Sequence, residues 1–142
     1  MEYKFTIPGR LEGLNTYTAA NRTNYRVGGR MKRNSEDMIG WCIRQQLNGV
    51  HIEKPVLIYY NCFEKDYRRD GDNILSCATK FIQDSLKTTH VIQEDNRRCI
   101  PHFYHDISVD KENPRIEVTI TELTPEQAKM KLRDLLKELE TG

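Results

Sequence analysis

After Pro55 the chain runs Val56-Leu57-Ile58-Tyr59-Tyr60-Asn61-Cys62-Phe63, an unbroken β-branched and aromatic stretch that reads as a central strand. A strand of this kind needs other strands beside it and helices over it. The sequence supplies both. Tyr3, Phe5 and Ile7 alternate with Glu2, Lys4 and Thr6 before Pro8-Gly9, the period-2 pattern of a half-buried strand. A strand around residues 100–108 follows, then an Asn113-Pro114 turn, then Ile116, Val118 and Ile120 alternating with Glu117, Thr119 and Thr121. Ser35 reads as the N-cap of a first helix carrying Met38, Ile39, Cys42, Ile43 and Leu47, with Gly49 as its stop. Ile74, Ala78, Phe81, Ile82 and Ser85 form the stripe of a second, with Asp72 or Asn73 as its cap. The expected fold is α+β, a small mixed β-sheet with helices packed against it.

The tail opens with Thr124-Pro125-Glu126-Gln127, an N-cap, a first-turn proline and a capping-box partner. Ala128, Leu132, Leu135, Leu136 and Leu139 then make one narrow apolar stripe, which predicts a C-terminal amphipathic helix. Packing on the domain is the favoured use of that stripe, and self-association is the alternative. The length, 142 residues, fits one domain, read as 1–123 with a helical extension over 124–142.

No apolar run approaches the ~18 residues that a membrane span needs, and Met1-Glu2-Tyr3-Lys4 lacks the layout of a signal peptide. A cytoplasmic protein with no membrane partner is expected. Cys42, Cys62, Cys77 and Cys99 include no C-x-x-C pair, so reduced thiols are expected, mostly in the core. Net charge is +1 and excludes little. Its distribution says more. From Asn21 to Arg33 the bases Arg22, Arg26, Arg30, Lys32 and Arg33 occur without an acid, interleaved with Gly28 and Gly29. The segment reads either as a flexible cationic loop for a phosphate backbone or as a solvated surface loop.

The strongest chemical signal is Arg68-Arg69-Asp70-Gly71-Asp72-Asn73. In an extended chain Asp70 and Asp72 point to one side and repel unless a cation lies between them. A hard cation such as Mg²⁺ suits that place and leaves waters for a phosphate, which Arg68 and Arg69 can hold. The plainer reading is an Asp N-cap beside a charged turn. Glu94-Asp95-Asn96-Arg97-Arg98 repeats the acid-then-arginine layout after the second helix. If that loop returns beside Asp70 and Asp72, three carboxylates form a cage for one or two Mg²⁺ in phosphodiester hydrolysis. Lys80 lies on the same helix face, with Ser76 between, as an electrostatic stabiliser. Zinc at Cys99, His102, His105 and Asp106 is disfavoured, because strand alternation divides them between faces. No Walker loop or G-x-G-x-x-G is present.

In their order, these pieces resemble the RusA family of Holliday-junction resolvases, in the branch of Gram-positive bacteria and their phages. The resemblance spans nearly all of Met1 to Leu123. It rests on Ile7-Pro8-Gly9-Arg10-Leu11 with Gly13-Leu14-Asn15, Ala20-Asn21-Arg22, the basic segment to Lys32, Arg69-Asp70-Gly71-Asp72-Asn73-Ile74, Lys80 through Asp84-Ser85-Leu86, and Val91-Ile92 with Glu94-Asp95. It implies a homodimeric, Mg²⁺-dependent endodeoxyribonuclease, with Mn²⁺ as an alternative ion, that resolves four-way DNA junctions by paired nicks. Asp70, Asp72 and Asp95 become the metal ligands and Lys80 joins them in catalysis. Asn15, Arg22, Arg26, Arg30, Lys32, Arg33, Arg68 and Arg69 become DNA contacts. A bacterial, prophage or phage-encoded protein is implied. The family's helix lysine falls one turn past the second aspartate, where Ser76 stands; Lys80 keeps the family spacing to Asp84-Ser85-Leu86. A flap nuclease with the same site and a DNA-binding recombination accessory protein are the rival readings.

Overall fold

The computed structural model describes residues 1–9 and 25–141, with the backbone alone at Tyr25, Asp72 and Asn73. Its elements in chain order are β1 (Glu2–Pro8), α1 (Tyr25–Gln46), β2 (Val56–Glu64), α2 (Gly71–Thr88), β3 (His102–Val109), β4 (Arg115–Glu122), α3 (Pro125–Lys129) and α4 (Leu132–Thr141). The strands form one mixed sheet in the order β1-β4-β2-β3, antiparallel except for the parallel β2–β3 pair. The sheet is thus α+β as expected, and β2 is an inner strand flanked on both sides. One row across it reads Phe5, Val118, Tyr60, His105.

Side-chain alternation divides the sheet into two faces. Phe5, Ile7, Ile58, Tyr60, Cys62, Ile116, Val118 and Ile120 point to one face, where α1 brings Ile39, Cys42 and Ile43 and α2 brings Ile74, Ala78, Phe81 and Ile82. Cys42, Cys62 and Cys77 are buried free thiols, and burial first, then Glu64, pushes Cys62 up to about 12. On the other face Leu57 and Leu123 meet Leu135 of α4, with Tyr104, Met130, Leu132, Leu136 and Leu139 around them. The tail stripe therefore packs on its own sheet. The capping box forms as read, Thr124 and Gln127 each bonding the other's backbone N–H. The tail is not one helix, however: Met130 is extended (φ −70°, ψ 155°) and its carbonyl accepts from His102 Nε2 at 2.6 Å. That break re-aims α4 so that Leu135 reaches the core.

The first helix is the larger departure. It begins at Tyr25 rather than after Ser35, so Arg26 to Arg33 is helical and not a flexible loop. Gly28 and Ser35 are buried in it, continuing the stripe of Ile39, Cys42 and Ile43 toward the N-terminus with residues too small to register as apolar. Glycine costs a helix about 1 kcal/mol against alanine, an intrinsic preference that packing overrides here. Among the described residues no helix is long and apolar enough to cross a membrane.

Candidate functional site

The alternation that sends Cys62 inward also sends Glu64 inward at the last position of β2, where it is buried. A buried carboxylate needs a partner, and Arg69 provides it: Nε donates to Oε1 at 2.7 Å and Nη2 to Oε2 at 3.0 Å. This pair folds the charged turn back onto the strand and sets where α2 begins. Arg69, expected on phosphate, is accordingly a positioning residue first. Glu64 was missed in the sequence, although its place as the inward residue after Cys62 marks it. Arg68 is exposed, with its backbone N–H donating to Asp66 at 3.0 Å.

Asp70, not Asp72 or Asn73, is the N-cap of α2, extended at φ −70° and ψ 151°. Its carbonyl accepts from the Ile74 N–H at 3.0 Å, while its carboxylate makes no cap hydrogen bond and is exposed. Asp72 lies inside the first turn of α2, so the expected extended Asp70-Gly71-Asp72 spacing does not hold; its side chain lies outside the described residues. Gly71 faces β3, where a Cβ would meet Ile107 Cδ1 at an ordinary contact distance of 3.5 Å. Lys80 and Ser76 are both on the exposed stripe of α2.

Asp95 goes elsewhere. Its carboxyl shares a surface hollow with that of Asp84, whose pKa is raised by burial first and then by Asp95, against the pull of Lys32 and Lys80. Asp84 stands 14 residues after Asp70, or about 21 Å along the helix axis. Within one chain, then, Asp70 and Asp95 lie at opposite ends of α2 and the expected three-carboxylate cage does not close. Lys32, Glu36, Asp84, Lys87, Thr88 and Asp95 instead line a surface hollow of about 250 Å³. Lys32 reaches Asp84 at 3.7 Å and Glu36 at 3.9 Å, and Lys87 reaches Glu94 at 2.9 Å. Burial also raises Glu36. Among the described residues no group of three or more His, Cys, Asp and Glu side chains is placed to hold a metal ion.

On α1, Arg26, Gly29, Arg30 and Arg33 line a surface concavity of about 490 Å³. Their spacing puts the arginines on one helix face, with Gly29 keeping the floor low. Lys32 points off that face toward Asp84. Asn15 and Arg22 lie outside the described residues. On β3, His102 and Asp106 project to the α4 side and His105 to the α1–α2 side, as alternation requires; Asp106 accepts from the Tyr59 hydroxyl at 2.6 Å. No protein-family model and no curated protein matches this chain.

Proposed function

We propose that the chain is a Mg²⁺-dependent structure-specific endodeoxyribonuclease that resolves four-way DNA junctions by paired nicks as a homodimer. The observation that carries this reading is Asp70: a carboxylate at a helix N-cap, exposed, spared from capping and held in place by the adjoining Glu64–Arg69 pair. The motif order from Arg69 to Asp95 supports it, as does the arginine face of α1. In this reading Asp70 and Asp72 hold the cation, which when bound lowers the pKa of a water and neutralises charge on the phosphodiester. Lys80 stabilises developing negative charge along the same helix. Arg26, Arg30, Arg33 and Arg68 neutralise backbone phosphates and orient the junction. The separation of Asp95 from Asp70 fits the reading if the third carboxylate acts across the dimer. Incubation of the protein and Asp70→Asn with an end-labelled four-way junction and Mg²⁺ tests the proposal. Paired nicks from the parent protein alone support it; no Mg²⁺-dependent product rejects it.

The same separation favours, for a chain acting singly, the DNA-binding accessory reading, which needs only the arginine face. Tight binding of junctions without cleavage of junction, flap or fork substrates would select it.

A further inference from the structure

We propose that β3 is a self-recognition edge, pairing antiparallel with β3 of a second copy across a two-fold axis at His105. The two rims of the sheet are treated differently. At the β1 rim the Gln46 side chain accepts from the Thr6 N–H at 2.7 Å and donates to the Thr6 carbonyl at 2.8 Å, closing that edge to another strand. At the β3 rim, among the described residues, no side chain bonds the outward backbone groups, and the strand runs eight residues, His102–Val109. It also presents large apolar side chains, Phe103 at 49% and Ile107 at 37% exposure. An edge that is long, unblocked and apolar is a template for strand addition.

The occupant follows from the order of residues. A two-fold axis perpendicular to the sheet keeps every side chain on its own face, so an antiparallel pair must be centred on a residue. Centred on Asp106, the strand opposes two aspartates across the axis, which is unfavourable. Centred on Tyr104, it sets Phe103 opposite His105 and Ile107 opposite Pro101, so the two exposed apolar side chains do not meet. Centred on His105, it opposes Phe103 to the second copy's Ile107 and Tyr104 to the second copy's Asp106, each twice by symmetry. His102 meets Ser108, and no like charges face each other. Apolar pairs then lie on the helix-covered face, and a hydroxyl meets a carboxylate on the other. The occupant of this edge is a second copy of the same chain. The inference rests on the homodimer of the proposed function, but it can be tested without cleavage. Sedimentation velocity should show the full-length protein as a dimer. Phe103→Glu and Ile107→Lys should each weaken it by about tenfold or more, and the double variant, which opposes Glu to Lys, should recover it. In a Cys99→Ser background His105→Cys should form an intermolecular disulfide, since residues directly opposite lie within bridging distance, whereas Ser108→Cys should not. A monomer at every concentration, or a dimer indifferent to both charge variants and lacking the His105→Cys cross-link, overturns the proposal. A His105-linked dimer that cuts no junction rejects the nuclease reading and leaves this one standing.

Discussion

Arg69 grips Glu64 with two parallel hydrogen bonds, and the carboxylate at the centre of the grip is the one buried charged group among the described residues. The pair joins the end of β2 to the residue that precedes the Asp70 cap. Removing the guanidinium takes the two-bond partner away from a buried carboxylate beside Cys62, so Arg69→Ala should cost about 3 kcal/mol. Thermal unfolding should fall by roughly 10 °C for a chain of this size. The double change Glu64→Leu with Arg69→Leu should recover much of that loss, because it removes the buried carboxylate together with its half-buried partner. Equal stability of Arg69→Ala and the parent in urea unfolding would show that the pair is incidental.

Asp70→Asn and Asp72→Asn should each abolish Mg²⁺-dependent nicking while leaving junction binding intact or tighter, because each removes a ligand and some repulsion of phosphate. Asp95→Asn should do the same. Their relation is decided by mixing. If Asp95 completes a site in the other subunit, a heterodimer of Asp70→Asn with Asp95→Asn keeps one whole site and regains single-strand nicking. If all three act within one chain, the mixture stays dead. Normal nicking by either single variant rejects that residue as a ligand.

Lys80→Ala should slow cleavage by about a hundredfold, the scale of losing one electrostatic stabiliser, and leave junction affinity nearly unchanged. Ser76→Ala should matter little. Single-turnover rates compare the two directly. A larger effect at Ser76 would place the functional group one turn nearer Asp70.

The strands were legible because alternation and the Pro and Gly stops speak directly for burial on one face: Phe5, Val118 and Ile120 fall where their periods require. The second helix was legible from Ile74, Ala78, Phe81 and Ile82. The start of α1 was not, since its inner face is made by Gly28 and Ser35, whose use depends on what packs against them. The break at Met130 depends on His102, 28 residues away, which no local pattern reports. The candidate site was legible in residue types but not in distance: the same helix that links Asp70 to Asp95 in sequence holds them apart in space.

The arginine face of α1 makes a prediction about salt. Neutralising Arg26, Arg30 and Arg33 together should weaken junction binding and reduce the slope of log K against log salt by about 0.9 per lost phosphate contact. Lys32→Ala should leave that slope nearly unchanged, because Lys32 is turned toward Asp84 and Glu36. Fluorescence anisotropy over a salt series separates them. An equal fall in slope for Lys32→Ala would mean that the whole helix end, rather than one face, meets DNA.

The hollow at the far end of α2 predicts a dependence of stability on pH. Asp84 titrates above the ordinary aspartate range because burial and the neighbouring Asp95 carboxyl disfavour its charge more than Lys32 and Lys80 favour it. Glu36 and Lys87 complete its surroundings. The folded protein therefore holds this proton more tightly than the unfolded chain. The resulting stability is fully present below the ordinary aspartate value and is lost as pH rises through the raised one. Asp84→Asn cannot ionise and keeps a donor for Asp95, so it should escape that loss. In thermal melts of the two proteins from pH 4 to pH 8, the melting temperature of Asp84→Asn minus that of the parent should increase with pH. A difference that stays flat, or that shrinks toward neutral pH, would show that Lys32 and Lys80 dominate and that Asp84 stays charged throughout.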